Sequence, residues 1–195
     1  MKKQKNTRQD FYFKKAKEEN YPARSVYKLQ EIDKKYWLFK QGDFVLDIGS
    51  APGSWMIYVS GKIDKMGRVI GVDIADLKIP LKNNMKFIKG DIRELVESFD
   101  KIFDAIISDA APETSGVHSV DVAKSLELAK TAFDIAKRAL KPNGIFLCKI
   151  FEGEGTEAFL KEVETFFSFI KPYRPSAVRK HSREFYLIAK GFKND

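Results

Sequence analysis

One lysine stands where a charged side chain is out of place. Lys149 is the only charged residue in the apolar run of residues 145–151, where an ammonium group is costly unless it is paired or functional. A lysine whose pKa is lowered by burial or by neighbouring cations can take a proton from a hydroxyl group. We therefore interpret Lys149 as a candidate general base, in preference to a structural lysine whose charged end reaches water.

A turn of small residues lies between a predicted strand and a predicted helix. Residues 44–48 form a short, mainly apolar run, as in a buried parallel strand; residues 49–53 break the run; and residues 54–63 are helix-like. Such a turn lets the backbone approach a ligand closely, next to the free N–H groups of a helix N-terminus. It is not a dinucleotide fingerprint, because Ala51 and Pro52 replace the middle glycine, nor a P-loop, because no Gly-Lys-Ser/Thr follows.

Three acids follow the turn, each at the end of a further predicted strand. Asp73 lies about twenty residues beyond the turn, where an acid commonly binds ribose hydroxyls. Asp91 comes after the third strand, within reach of a base edge, and Asp109 ends the fourth. Acids at strand ends favour a ligand without strong negative charge, and Pro52 removes one N–H donor from the turn. Both features favour S-adenosylmethionine, a sulfonium without phosphate, over a nicotinamide dinucleotide.

Predicted strands alternate with predicted helices along the rest of the chain. The strands are expected at residues 44–48, 67–73, 85–89, 103–109, 144–150, 170–173 and 183–189, and the main helices at 54–63, 120–140 and 157–169. Alternation of this kind predicts an α/β fold with a mostly parallel sheet and helices on both faces. The last two strands are joined too closely for a crossover helix, so the last strand should run antiparallel.

Charge and length suggest one domain with basic ends. A chain of 195 residues, 44% hydrophobic, is long enough for one core. We expect a single domain over residues 1–195, in which 1–41 form a basic helical extension, with Ser25 capping a helix to Tyr36. The net charge of +8 divides into +7 over residues 1–40, −4 over the centre and +5 over residues 171–195. Basic ends predict contact with RNA, the alternative being that they only confer solubility.

Several classes of protein are disfavoured. One cysteine excludes an internal disulfide and, with only two histidines, argues against a zinc site, so we expect no metal. No apolar run approaches membrane-spanning length, and the first residues lack the apolar segment of a signal peptide. We expect a cytoplasmic, monomeric protein without a membrane segment.

At this point the motifs resemble a known family. They are Asp-Ile-Gly-Ser-Ala-Pro-Gly-Ser-Trp at 47–55, Gly-Val-Asp73, Gly-Asp91, Ser-Asp109-Ala-Ala-Pro and Ser-Arg-Glu184-Phe-Tyr. Together they resemble the FtsJ/RrmJ ribosomal RNA 2′-O-methyltransferases, over about residues 21–190. The resemblance implies a Rossmann-like methyltransferase fold that uses S-adenosylmethionine. The residues expected to contact the cofactor are Gly49, Gly53, Trp55, Asp73, Asp91 and Asp109. Ser50 and Ser54 depart from the alanine and glycine that many members carry there.

The resemblance also implies a catalytic set of Lys28, Asp109, Lys149 and Glu184. Lys149 would accept the proton of a ribose hydroxyl, with Asp109 orienting it, while Lys28 and Glu184 would position the ribose. Without the resemblance, Lys28 would be interpreted as a solvated helix residue, and Glu184 as a partner of a neighbouring cation. A carboxylate beside Lys149 favours its charged form, which leaves open how the lysine loses its proton.

The implied substrate is a uridine of large-subunit (23S-type) ribosomal RNA, within the large ribosomal subunit or free. The catalytic set is equally compatible with a transfer RNA methyltransferase that modifies the anticodon loop. A non-catalytic RNA-binding module with the same fold is the alternative from a different class. It is disfavoured because all four catalytic positions of the family are present.

Overall fold

The computed structural model describes residues 7–95, 100–179 and 182–193. The helices are α1 (Thr7–Glu18), α2 (Val26–Tyr36), α3 (Ser54–Ile63), α4 (Ile92–Leu95), α5 (His118–Ala139) and α6 (Thr156–Phe166). The strands are β1 (Phe44–Ile48), β2 (Arg68–Asp73), β3 (Met85–Lys89), β4 (Phe103–Ser108), β5 (Leu140–Phe151), β6 (Phe167–Tyr173) and β7 (Glu184–Phe192). None of the helices in these ranges is long and apolar enough to cross a membrane.

The strands form one mixed sheet in the order β3-β2-β1-β4-β5-β7-β6. Neighbouring strands from β3 to β5 are parallel, whereas β7 is antiparallel to both β5 and β6. The predicted fold class is therefore confirmed, including the antiparallel last strand. This order places the carboxyl ends of β1, β4 and β5 side by side at the centre of one edge, where a ligand of an open α/β sheet is expected to bind.

Helices cover both faces of the sheet. Alternate residues of the strands pack on α5 and α6 on one face, where the ring of Phe133 meets those of Phe146 and Phe159. The other face packs on α2 and α3, through buried residues such as Leu29 and Met56. Each large apolar side chain buried in this way contributes about 1.5–3 kcal/mol. The two layers fix the strand ends that carry the candidate site.

The helix α2 follows its apolar periodicity, since Val26, Leu29 and Ile32 are fully buried. The predicted cap at Ser25 is wrong. Ser25 occupies the N-cap position with a helical backbone (φ −58°, ψ −23°), and its side chain makes no capping hydrogen bond. Its carbonyl oxygen instead accepts a hydrogen bond from the indole Nε1 of Trp55, 3.1 Å away, which ties the start of α2 to α3.

Several predicted boundaries in the C-terminal half differ from the structure; the last strand, for example, ends at Phe192 rather than at residue 189. The helix expected over residues 157–169 ends at Phe166, and β6 begins at Phe167, because Phe167 pairs with Phe192 of β7 and is 2% exposed. The fifth strand begins at Leu140 rather than at residue 144. Phe103 pairs with Leu140 while Ala105 pairs with Ile145, so the intervening residues form a bulge within the strand.

Candidate active site

The glycine turn after β1 rests against the turn after β4. Gly49 has a φ of +74°, and a Cβ added there would lie 2.8 Å from the Cα of Ala110. Only glycine meets both requirements, since other residues rarely adopt this backbone conformation and would also collide with Ala110. The contact brings the turn alongside Asp109, so that a ligand held by one lies beside the other.

Asp73 closes the glycine turn from the end of β2. Its two carboxylate oxygens accept hydrogen bonds from the backbone N–H groups of Ala51 and Ala75, both at 2.8 Å. The loop that follows β2 reaches the same turn, where the N–H of Lys78 donates to the carbonyl of Pro52 at 3.1 Å. Asp73 therefore lies at the predicted position and shapes the turn itself.

Asp91 follows β3, on the outer side of β2, and is paired with an arginine. The Nε of Arg93 lies 3.0 and 2.9 Å from the two carboxylate oxygens of Asp91, whose side chain is 27% exposed. Hydrogen bonds from the Arg93 side chain and backbone lower the pKa of Asp91. A ligand that reaches Asp91 would share this carboxylate with Arg93.

Trp55 is buried, and its ring does not line an open surface. The residue is 3% exposed, its indole donates to Ser25, and its ring centroid lies 6.0 Å from that of Tyr186. The side chain thus joins α2, α3 and β7. What Trp55 can offer a ligand is its backbone N–H in the first turn of α3, where N–H groups lack partners within the helix.

Lys149 and Asp109 form a buried ion pair at the ends of β5 and β4. The Lys149 Nζ lies 3.1 Å from an Asp109 carboxylate oxygen and 2.5 Å from the Asp109 carbonyl oxygen, and its side chain is 6% exposed. Tyr186, opposite Lys149 in the β5–β7 register, donates its hydroxyl to the same carboxylate at 2.6 Å. Two acceptors therefore fix the ammonium group.

The charges around Asp109 set its protonation state. Burial raises the pKa of Asp109, but the charges of Lys149 and Lys28 and the bond from Tyr186 outweigh burial, so that the pKa falls below its usual value. Burial, followed by the charges of Asp109 and Glu184, raises the pKa of Tyr186 well above its usual value. At neutral pH Asp109 is therefore ionised, and Tyr186 keeps the proton that it donates.

Lys28 and Glu184 complete the cluster. The Lys28 Nζ on α2 lies 2.5 Å from a carboxylate oxygen of Glu184, the first residue of β7, and the two side chains are 13% and 15% exposed. The same Nζ lies 5.7 Å from the centre of the Tyr186 ring. All four residues of the expected catalytic set thus meet around Tyr186, although more than 150 residues separate Lys28 from Glu184 along the chain.

Asp47 is a candidate functional residue that the sequence prediction missed. It is fully buried on β1, and among the described residues neither its carboxylate oxygens nor the Oγ of Ser50 have a hydrogen-bond partner. Both lie beside Gly71, which pairs with Asp47 and whose added Cβ would lie 2.7 Å from that Oγ. Burial, and then the charges of Asp109 and Asp73, raises the pKa of Asp47 well above its usual value.

A signal for Asp47 is present in the sequence. A carboxylate within the apolar strand β1 is as out of place as the lysine within β5, and buried polar groups without partners are rare enough to require an explanation. Asp47 lies on the strand that leads into the glycine turn and Ser50 lies within that turn, so both place polar atoms without partners next to the candidate site.

The fold and this site define a class of protein. A sheet of this order, with a glycine turn, acids at successive strand ends and a buried lysine–carboxylate pair, is the arrangement of a Rossmann-like methyltransferase. Residues 21–192 match the FtsJ-like methyltransferase family. The chain belongs to that family.

Relatives and solved structures agree with this assignment. Ribosomal RNA large subunit methyltransferase E of Desulfatibacillum aliphaticivorans is 46% identical over 191 residues, covering 96% of this chain and 92% of the relative. The crystal structure of a Plasmodium falciparum protein assigned as a ribosomal RNA methyltransferase has 29% identity and a TM-score of 0.78, covering 90% of this chain and 100% of the other. Aeropyrum pernix fibrillarin with bound S-adenosyl-L-methionine shares the fold, at 20% identity and a TM-score of 0.53, over 85% of this chain and 76% of fibrillarin.

Proposed function

We propose that this chain transfers the methyl group of S-adenosylmethionine to a ribose 2′-hydroxyl in RNA. The proposed target is the ribose of a uridine in large-subunit ribosomal RNA. The observation that carries the proposal is the cluster of Lys149, Asp109, Lys28 and Glu184 at one sheet edge, in a chain of the FtsJ-like family. A non-catalytic RNA-binding module would have no use for a buried lysine–carboxylate pair, which is costly to desolvate.

The residues of the sheet edge fit S-adenosylmethionine. Among the described residues, the carboxyl of Asp47 on β1 and the hydroxyl of Ser50 within the turn of residues 49–53 have no hydrogen-bond partner. Asp73 ends β2, and Asp91 and Asp109 follow β3 and β4. The groups that would hold the cofactor are the turn, the first N–H groups of α3, and the carboxylates of Asp73, Asp91 and Asp109. The bound cofactor supplies a methyl group that its sulfonium already activates.

The chain has two tasks in the transfer, namely to orient the ribose oxygen and to remove its proton. In its uncharged form Lys149 accepts the proton of the ribose hydroxyl and becomes an ammonium group, and Asp109 holds its Nζ at a fixed point through two contacts. The Lys28–Glu184 pair offers both a donor and an acceptor to the ribose, and the Lys28 Nζ lies 5.7 Å from the ring centre of Tyr186, which also contacts Asp109. Positioning of this kind supplies a large part of a rate enhancement.

The RNA would lie across the basic segments beside this cluster. Arg24 lies near Arg179, and burial, followed by the charge of Arg179, lowers the pKa of Arg24. Two guanidinium groups close together favour an anion between them, as a phosphate would provide. Arg174 and Arg183 belong to the same C-terminal segment as Arg179. Lys180 and the lysines within residues 1–6 lie outside the described residues.

The N-terminal extension is part of the proposed RNA site. Helices α1 and α2 contact the segment after β6 through buried Ala177, which packs with Ala16, Val26 and Tyr27. We therefore propose that residues 1–41 belong to a single domain over residues 1–195 and contribute basic groups to RNA binding. The packing of α1 and α2 on the segment after β6 supports this proposal.

The proposed partner is the large ribosomal subunit or its RNA, with the protein acting as a monomer in the cytoplasm. The relative of 46% identity is named for ribosomal RNA of the large subunit. The chain spans nearly all of that relative, so substrate choice would rest on the basic surface of one domain and on the shape of the substrate.

Parallel methylation of candidate substrates tests the proposal. Large ribosomal subunits, free large-subunit RNA and transfer RNA are each incubated with the protein and S-adenosylmethionine labelled in its methyl group. We expect label in the large-subunit RNA, on the 2′-oxygen of one uridine after mapping. Label confined to transfer RNA would replace the proposed substrate, and the absence of label in every RNA would contradict methyl transfer to RNA.

A further inference from the structure

Trp37 combines an exposed ring with a strained backbone. It is the C-cap residue of α2, is 79% exposed, and has φ +56° and ψ +65°. Its N–H donates to the carbonyl of Asp33 at 2.7 Å, which closes the helix. Glycine or asparagine commonly fills such a left-handed position, and a bulky aromatic residue there is an outlier. A large apolar ring is thus held in water at a position that does not favour it.

A cavity of about 470 Å³ opens beside Trp37, between α2 and α3. The rings of Phe39 and Tyr58 line it in an edge-to-face contact, 6.5 Å between centroids, and Lys34 and Lys62 stand at its sides. The cavity therefore has aromatic surfaces and cations within reach of one another.

The acid in this lining, Asp33, is engaged within the protein. It is 5% exposed, and its carboxylate accepts hydrogen bonds from the Leu38 N–H at 2.9 Å and the Tyr58 hydroxyl at 2.6 Å, while Lys62 lies 3.2 Å away. Asp33 thus offers little repulsion to an anion at the rim. Lys34 and the neighbouring Lys35 and Lys40 leave this end of α2 positively charged.

We propose that the Trp37 cavity binds an unpaired base of the substrate RNA, outside the target nucleotide. The base stacks on the indole, and the adjoining phosphates lie near Lys34 and Lys62. Proteins bind single-stranded RNA by combining aromatic platforms with a positively charged path for the backbone. The inference rests on the proposed function, because α2 carries both Lys28 of the candidate active site and, nine residues later, Trp37, about 13 Å along the helix.

Tryptophan fluorescence provides a direct test, because the chain has two tryptophans and only Trp37 is exposed, Trp55 being 3% exposed. The probes are a single-stranded RNA of mixed sequence and the same RNA in a duplex. We expect the single strand to quench the emission of Trp37 and the duplex to quench it much less. Trp37→Phe removes the signal and identifies its source. Equal quenching by both probes, or none by either, overturns the proposal.

Substitution separates a binding role from a structural one. Trp37→Asn removes the ring and suits the left-handed backbone, so we expect a higher Tm together with RNA binding that is weaker by about 5-fold or more, as expected when a base loses its aromatic partner. The loss should fall on the KM for RNA and leave the affinity for S-adenosylmethionine unchanged. The matched control is Met66→Asn, which replaces another exposed apolar side chain (78% exposed) and should leave RNA binding unchanged.

The outcomes distinguish this inference from the proposed function. If Trp37→Asn binds free large-subunit RNA as tightly as the wild type, the cavity does not bind RNA. If the loss appears with intact subunits and not with free RNA, the cavity contacts a ribosomal protein, and the inference is overturned in favour of that partner. If the wild type itself methylates no RNA, the proposed function fails instead.

Discussion

Asp47 on β1 and Asp109 directly after the neighbouring strand β4 have pKa values that are shifted in opposite directions. Asp109 has cations and a tyrosine hydroxyl around it, whereas Asp47 has neither and lies near two other carboxylates. Burial alone would raise the pKa of either group, so the neighbouring charges decide that the pKa of Asp109 is lowered and that of Asp47 is raised. The sheet edge thereby carries an ionised carboxylate beside Lys149 and, on β1, a buried carboxyl group whose pKa is raised.

The two carboxyl groups should give opposite pH dependence to the free energy of unfolding. The folded pKa of Asp109 lies below the unfolded value of about 3.9, so Asp109 stabilises the fold above that pH and loses this effect as the pH falls through its folded pKa. The folded pKa of Asp47 is raised, so its contribution is lost as the pH rises from about 4 through that folded pKa.

We therefore expect Asp47→Asn to stabilise the protein near neutral pH and to flatten the decline in stability above about pH 4. Asp109→Asn should destabilise it at neutral pH, because Lys149 is left without its carboxylate. Denaturant unfolding of both variants at several pH values measures these effects. A wild-type-like stability curve for Asp47→Asn would contradict a raised pKa of Asp47 in the folded protein.

Lys149→Ala should remove methyl transfer while binding of S-adenosylmethionine survives. A positioned general base typically accounts for a factor of about 10²–10⁴ in rate, and the lysine lies beside the glycine turn without forming it. Calorimetric titration with the cofactor and a labelled-methyl assay measure the two properties. Lys190→Ala is the control, since Lys190 lies on β7 and donates to the carbonyl of Tyr36. Near-normal turnover of Lys149→Ala would exclude the lysine from the mechanism.

Sequence patterns were sufficient for single residues only where a residue contradicts its surroundings. Lys149 in an apolar strand is proposed as a site residue on this ground, and the same reasoning singles out Asp47; the structure shows that both are buried. Tyr186 was not identifiable, because a tyrosine in a strand is ordinary and its bond to Asp109 depends on the register of β5 and β7. The roles of Lys28 and Glu184 rested on family resemblance alone.

Helices and strands were predicted well where one pattern dominates. The bounds of β1, α3 and β3 coincide with the predicted ones, since each is a short apolar or amphipathic run next to a turn. The predicted helix over 157–169 was too long because the aromatic run at its end is compatible with a helix, and only its pairing with β7 makes it a strand. Ladder pairing is a long-range property that local periodicity does not contain.

The glycine turn should tolerate substitution less than another left-handed glycine of the chain. Gly49→Ala adds a Cβ 2.8 Å from the Cα of Ala110, whereas Gly42, with φ +85°, has no atom within 4 Å of an added Cβ. Both variants incur the backbone cost of about 1–2 kcal/mol, so the difference between them isolates the collision. We expect Gly49→Ala to lose roughly 1–3 kcal/mol more.

Unfolding in denaturant measures the stability of both glycine variants, and titration with S-adenosylmethionine measures their cofactor binding. Gly49→Ala should also weaken cofactor binding, whereas Gly42→Ala should not. Equal loss of stability in the two variants would mean that the turns after β1 and β4 are not packed against each other as described.

The whole molecule brings its two basic ends together. Glu31 of α2 accepts hydrogen bonds from the Tyr173 hydroxyl at 2.7 Å and from the N–H and hydroxyl of Ser176 at 2.9 and 2.6 Å. Burial, and then Glu31, raises the pKa of Tyr173 to about 12. The charge distribution along the sequence predicts that both basic segments meet a polyanion. It does not indicate that Glu31 joins the two segments, because that contact depends on the fold.

Glu31→Gln should loosen the C-terminal basic segment and so weaken RNA binding without affecting cofactor binding. An amide accepts fewer hydrogen bonds than a carboxylate, and bonds to charged groups are worth about 1.5–3 kcal/mol where they are shielded from water. Hydrogen exchange at the Ser176 amide should accelerate, and the KM for RNA should rise. Glu157→Gln, on the exposed side of α6, is the control. Unchanged exchange at Ser176 would contradict the joining role of Glu31.

The decisive test of ribose methylation is 2′-deoxy substitution at the nucleotide that the wild-type protein labels. Large-subunit RNA is prepared with the normal ribose or with 2′-deoxyribose at that position and is incubated with the protein and labelled S-adenosylmethionine. Because Lys149, Lys28 and Glu184 are proposed to act on a ribose hydroxyl, we expect the normal RNA to be labelled and the deoxy RNA to remain unlabelled. Equal labelling of the two RNAs would contradict transfer to the 2′-oxygen and would indicate methylation of a base.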